Sequence, residues 1–222
     1  MKVIYLIMCS FLFIIFSSCK KSDSNPVNPG TVNYSISLKI GNEWTYLATS
    51  FDSTGNVTQK DTVTFKIQGD TTIQNEKWYF IGIGNIAYEL LTNRSDGLWY
   101  MMTNGSLKGI PYLFAKFPCQ VNGTFLSIDS MSTKVLSINQ NVSVPAGDYI
   151  CYDFQVTDKY GSRYAEKYFP IGNLFVKDVF YYKSNSGLVY VDYKRELINN
   201  KLTKVSPGNI RTDSRFYLFN PF

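Results

Sequence analysis

Histidine is absent from the 222 residues. That absence removes Ser-His-Asp and Cys-His catalysis and every His-ligated metal site. Cysteine is scarce too, with four in all. Cys9 and Cys19 fall within or at the end of the N-terminal apolar segment, so the remaining body holds only Cys119 and Cys151, too few for a four-thiolate zinc site. Helical periodicity is missing: no window supports a helix longer than about two turns. Long apolar runs are reduced to one, residues 3–16. As a helix it would span about 21 Å at ~1.5 Å per residue, short of the ~30 Å hydrocarbon core of a bilayer.

What that run does contain is the layout of a removable leader. Lys2 precedes it, Ser17-Ser18-Cys19 closes it, and polar Lys20-Lys21-Ser22-Asp23 follows. Phe16-Ser17-Ser18-Cys19 resembles a bacterial lipobox, with Phe16 where the pattern carries an aliphatic residue. The resemblance implies that Cys19 is lipidated and becomes the first residue of the mature chain. An ordinary secretory signal, with Cys19 a bystander, is the alternative. Two or three acyl chains at ~0.8 kcal/mol per buried methylene make a permanent tether, whereas one is marginal. Lys20 stands where inner-membrane retention typically uses Asp, so the same resemblance implies the outer membrane, with its face left open.

The organisation expected from these features is a signal peptide at 1–18, a lipidated Cys and flexible linker at 19–33, one antiparallel β domain at 34–205 and an extended tail at 206–222. Residues 20–33 are polar, with Pro26, Pro29 and Gly30, and bury too little to offset the entropy of ordering. Loss of the leader takes the formal net charge from +5 to +4, since Lys2 is its only charged residue. The basic excess collects late, at Lys194, Arg195, Lys201, Lys204, Arg211 and Arg215. Those charges are spaced rather than clustered, which reads as a solvated tail; anionic head groups or surface polysaccharide are the alternative partners. No nucleic-acid partner is expected.

The body alternates with period two. Tyr34, Ile36, Leu38 and Ile40 point one way, which predicts a half-buried strand. Gly41-Asn42 and Asp52-Ser53-Thr54-Gly55-Asn56 turn the chain toward Val63, Phe65 and Ile67. Further strands are predicted over 77–83, 86–92 and 98–102, with Asn104-Gly105 a strong hairpin signal. Residues 106–125 hold Pro111 and Pro118 and read as the longest irregular connection, a candidate mouth or lid. Strands resume over 126–128, 134–138 and 142–144. Ile150, Tyr152, Phe154 and Val156 then alternate, Asp158-Lys159-Tyr160-Gly161-Ser162 makes a turn, and the last hairpin joins 174–183 to 188–198.

Several of these motifs resemble a family together. Gly41-Asn42-Glu43-Trp44, Gly97-Leu98-Trp99-Tyr100, Val144-Pro145-Ala146-Gly147, Phe169-Pro170-Ile171-Gly172 and Gly187-Leu188-Val189-Tyr190 follow the order seen in uncharacterised β-rich extracytoplasmic lipoprotein domains of Bacteroidetes and Chlorobi bacteria. The resemblance covers most of residues 34–202 and implies fold and location but no activity. The expected fold is all-β: a single antiparallel, strongly curved sheet, a half-barrel resembling the lipoprotein carriers LolA and LolB, with a β-sandwich as the alternative.

Candidate sites are few. Cys119 and Cys151, an even pair in an oxidising compartment, predict a disulfide worth between ~3 and ~4.7 kcal/mol for its loop length; two buried free thiols are the alternative. Gly82-Ile83-Gly84-Asn85-Ile86-Ala87 matches a dinucleotide fingerprint but lacks the helix that would hold a pyrophosphate, so it reads as a bend. Asp153, mid-strand between Tyr152 and Phe154, is the acid to inspect first for the paired-carboxylate chemistry of a hydrolase, and alternation faces it to solvent. Trp78, Phe80, Trp99, Tyr152 and Phe154 are core or cross-strand residues, or, if the sheet curls, the lining of a ligand site. The expected role is therefore a non-catalytic structural or binding module of the cell envelope, with no cofactor and no metal. Carriage of an apolar ligand in a half-barrel is the alternative, and a hydrolase is third.

Overall fold

Alternation and turn chemistry carry through the chain as a single sheet of twelve antiparallel strands. The computed structural model describes residues 35–203 apart from Asn85 and Asn185. The leader, Cys19, the linker and the 206–222 tail lie outside the described residues. The first six strands form one meander: β1 (Glu43–Phe51), β2 (Val57–Ile73), β3 (Glu76–Ile83), β4 (Ile86–Arg94), β5 (Gly97–Met102) and β6 (Pro111–Lys116). The second meander is β7 (Thr124–Leu126), β8 (Ser132–Val144), β9 (Gly147–Thr157), β10 (Arg163–Pro170), β11 (Lys177–Lys183) and β12 (Val189–Lys201). β1 pairs with β12, from Glu43 opposite Lys201 to Ser50 opposite Tyr193, and welds the two meanders together. β6 and β7 are left as the two edges, so the sheet curls into a nearly closed cylinder with one seam. There is one sheet, not the two of a sandwich.

The turns follow from side chains that mimic backbone acceptors. Asp52 Oδ1 accepts from the amides of Thr54 and Asn56, both at 2.9 Å, and Asp158 Oδ1 accepts from those of Tyr160 and Ser162. Such Asx turns close a hairpin locally. Register shifts at Thr45/Tyr46, Ile67/Gly69 and Phe180/Tyr181 insert bulges, and each bulge bends and twists its strand. Repeated around a twelve-strand sheet, those bends let it close on itself.

Trp44, Tyr46 and Ala48 alternate inward along β1, at 0%, 0% and 4% exposure. Fully burying a side chain of that size contributes roughly 1.5–3 kcal/mol. Trp44 and Tyr46 join Ile67, Leu91, Phe154, Phe169 and Leu197 in one continuous core inside the cylinder. The segment 171–176, between β10 and β11, folds into it: Leu174, Phe175 and Val176 are buried, Trp44 Nε1 donates to Asn173 Oδ1, and Tyr46 donates its hydroxyl to the Phe175 carbonyl at 2.7 Å.

Three local expectations are corrected. Residues 35–40 are not a strand, although Ile36 and Leu38 are buried as alternation requires. Their backbone bonds to side chain and loop instead: the Ile36 amide donates to Asn93 Oδ1, its carbonyl accepts from Asn93 Nδ2, and the Ser37 amide reaches Gly172. The segment thus links β4 to the loop after β10. Within 106–125, residues 111–116 form β6; Pro111 is tolerated there because β6 is an edge strand. The expected disulfide does not form. Cys119 and Cys151 are free thiols, Cys151 buried in β9 and Cys119 half-buried in the β6–β7 connection. An even cysteine count carries no information about distance, and both behave as small hydrophobes. Burial pushes the thiols up to about 11 and about 12, so neither is a ready thiolate.

Candidate functional site

Core side chains do not fill the whole cylinder. A cavity of about 420 Å³ remains, floored by Leu174 and Phe175 of the inward loop. Phe65 of β2, Ile81 and Ile83 of β3, Tyr100 of β5, Tyr112 and Phe114 of β6, Val156 of β9 and Phe180 of β11 form its apolar wall. Ser127, Ile128 and Met131, around the 3-10 turn at Ile128–Ser130, add a rim. The aromatics brace one another: Tyr100 stacks on Phe114 at 4.5 Å, and Phe114 meets Phe169 edge-on at 5.7 Å. Its size falls within the ~300–1,000 Å³ of small-molecule pockets, and its apolar lining with a few convergent polar groups matches their chemistry.

The polar groups are charged and inward-facing. Lys167, Asp178 and Arg195 stand side by side across β10, β11 and β12, since Lys167 pairs with Asp178 and Asp178 with Arg195 in register. Arg195 forks onto Asp178: Nε donates to Oδ1 at 3.0 Å and Nη2 donates to Oδ2. Asp178 is 1% exposed, so this pair is desolvated, and its bidentate geometry is the one that sustains a buried ion pair. The guanidinium also lies against the Phe175 and Phe65 rings, at 4.9 and 5.2 Å. Glu89 faces the cavity from β4; burial raises its pKa, against a hydrogen bond from the Tyr100 hydroxyl. Lys167 lies over the Phe114 ring at 3.8 Å, and burial pulls its pKa down to about 8.

None of the five aromatics proposed from sequence lines this cavity. Trp78, Phe80 and Trp99 come together on the opposite, convex face with Leu90 and Met101, because their neighbours Tyr79 and Leu91 take the inward parity. Arg94 caps that cluster, 4.1 Å from the Trp99 ring and held by both oxygens of Glu76 at 2.7 Å. Tyr152 and Phe154 do point inward, but into the packed part, where Phe117 meets them edge-on at 5.0 and 5.8 Å. Asp153 takes the outward parity as expected, yet it is only 8% exposed, with Oδ1 buried and unbonded. Burial first, then the charge of Glu166, raises its pKa to about 6. Glu166 is bound by Arg163 and by the Tyr168 and Tyr181 hydroxyls, and it lines an outer groove that Asp153 does not reach. Among the described residues no cluster of three or more Cys, Asp and Glu side chains is placed to hold a metal ion.

Lys167, Glu89 and Arg195 escaped sequence reasoning. In β10 the row Ala165, Lys167, Phe169 and the row Tyr164, Glu166, Tyr168 look equally amphipathic. Only the closed sheet decides which row faces inward.

Fold and site together define a class: a nearly closed, single-sheet antiparallel β cylinder with a ligand-sized, aromatic-lined cavity bearing charge. No family model and no curated protein matches the chain. Among solved structures, a "putative exported protein with YmcC-like fold" from Bacteroides fragilis is similar at 9% identity and a TM-score of 0.44, over 76% of this chain and 99% of that one. A "putative lipoprotein" from Parabacteroides distasonis is similar at 10% identity and 0.40, over 75% and 97%. A DUF1329 family protein from Desulfovibrio piger follows at 13% and 0.21, over 74% and 86%. At these scores neither fold nor function is carried across.

Proposed function

We propose that this protein is a non-catalytic binding module of the cell envelope, tethered through Cys19, that holds an apolar ligand inside its β cylinder. The observation that carries the reading is the cavity of about 420 Å³, walled by Phe65, Tyr112, Phe114, Phe175 and Phe180. A purely structural domain gains stability by filling such a space, because protein interiors pack to the density of organic crystals. An apolar cavity that is kept open serves a ligand better than it serves stability. The tether rests on the leader and the lipobox-like Phe16-Ser17-Ser18-Cys19; outer-membrane placement belongs to the same reading.

Two measurements test it. With the full chain in phospholipid nanodiscs, alkyl photoprobes bearing a diazirine should label peptides from β6 and from the 174–176 loop. Met102 of β5 also lines the cavity, and Met102→Trp, which puts an indole into that space, should abolish the labelling. Labelling that avoids those peptides, or that persists in Met102→Trp, removes the ligand-binding reading. For the tether, radiolabelled fatty acid should be incorporated by the wild type and not by Cys19→Ala; equal incorporation removes the anchor.

A further inference from the structure

The cavity carries one cation that, among the described residues, has no carboxylate at ion-pair distance. Arg195 is balanced by Asp178, whose two oxygens are both taken by the guanidinium. Glu89 is engaged by the Tyr100 hydroxyl, whose hydrogen bond opposes the rise in pKa that burial causes. Tyr112, also on the wall, is a phenol whose pKa burial raises. That leaves Lys167. Its register partner Asp178 is occupied, and among the described residues no carboxylate lies within 4 Å of its Nζ. Its Nζ lies 3.8 Å from the centre of the Phe114 ring. An ammonium offers three donors and no acceptor, so a ring face satisfies it only in part. Desolvating a charge without a partner is unfavourable, and a cavity that retains one fits a ligand that supplies the counter-charge.

We infer that Lys167 receives the anionic head of a single-chain amphiphile whose alkyl tail lies against Phe65, Phe114, Phe175 and Phe180. This deepens the ligand-binding reading and rests on it. The volume, near the small end of ligand pockets, selects one chain over two. The head group is a carboxylate or a phosphate monoester; both present anionic oxygens to the ammonium, and the N⁺–H···O⁻ bonds would be charge-assisted.

The test compares four diazirine probes on the full chain in nanodiscs: hexadecanoic acid, its methyl ester, hexadecyl phosphate and hexadecanol. The acid or the phosphate should label the cavity peptides about tenfold more than the neutral probes at pH 7, the factor expected of one charge-assisted bond. The stronger of the two identifies the head. Raising the pH from 7 to 9.5 should remove the preference as Lys167 loses its proton; the titratable and charged groups that face it are Glu89, Asp178, Arg195, Tyr100, Tyr112 and Tyr164. Lys167→Met should equalise the four probes, and Lys167→Arg should restore the preference. Equal labelling by charged and neutral probes in the wild type, or a preference surviving in Lys167→Met, overturns the inference while the cavity reading stands. Absence of cavity labelling by all four overturns both.

Discussion

Asp153 is the residue whose surroundings work hardest against its ordinary state. It sits outward on β9, but Tyr168, its register partner on β10, and neighbouring Glu166 leave it 8% exposed with Oδ1 unbonded. Its carboxyl pKa is raised to about 6, against an ordinary value near 3.8. Between those two pH values the folded state binds a proton that the unfolded state has released, so stability falls as pH rises through that window. The burden is complete above about pH 6 and absent below about pH 4. Asp153→Asn is therefore expected to raise the melting temperature at pH 7, with the gain vanishing by pH 4. Thermal melts of both proteins across that range check it, and a constant gap would contradict the account. Lys167 has the opposite ionic character and the same kind of strain. Burial lowers its pKa from 10.5 to about 8, so the unfolded state binds the extra proton between those values and stability climbs with pH there. In ligand-free protein Lys167→Met should melt higher than wild type at pH 7, and the difference should shrink as pH approaches 10.5.

At the scale of elements, the β5–β6 hairpin depends on a close approach. Gly97 opens β5 with φ of +146°, and a Cβ built there would lie 2.1 Å from the Ala115 carbonyl oxygen. Both the backbone conformation and the contact exclude any other residue without displacing β6. Because β6 supplies Tyr112 and Phe114 to the cavity wall, the consequence reaches the site. Gly97→Ala is expected to cost at least ~2 kcal/mol in denaturant unfolding and to weaken probe labelling of the β6 peptide. A change under ~0.5 kcal/mol would show that the hairpin accommodates a methyl group. The ends of the described chain are joined by another single residue. Asn42, fully buried, donates Nδ2 to the Ser37 carbonyl at 2.7 Å and accepts at Oδ1 from the Thr203 amide at 2.7 Å. Its side chain secures the entering segment against the strand that completes the sheet, complementing the β1–β12 ladder.

For the whole molecule, the seam is the structural weak point and the functional opportunity. Eleven strand pairings hold the sheet, and β6 and β7 alone lack a ladder on one side. The gap is bridged by side chains: Phe117 packs on Tyr152, Phe154 and Phe169, and Phe125 of β7 meets Phe154 at 5.9 Å. Backbone amides without a ladder partner open most readily, so hydrogen exchange should be fastest at β6 and β7 and slowest at β1, β2 and β12. Ligand should slow exchange in β6, since that strand forms both seam and cavity wall. Uniform exchange around the cylinder would mean that the seam is no gate.

The sequence by itself determined the local order. Period-two alternation, Asx turns at Asp52 and Asp158 and the lack of any helical window made the chain antiparallel β, because each of those signals acts within a few residues. The same locality set its limits. Residues 35–40 alternate like a strand, but whether a ladder partner exists is settled elsewhere in the chain. Cys119 and Cys151 form a plausible pair on paper and are free thiols in the folded protein. The pairing of Glu43 with Lys201, the seam between β6 and β7 and the choice of the Ala165-Lys167-Phe169 row as the inward one were decided only by tertiary structure. Closure of a sheet joins residues far apart in the chain, and no short window of sequence encodes which face of a strand will then be enclosed.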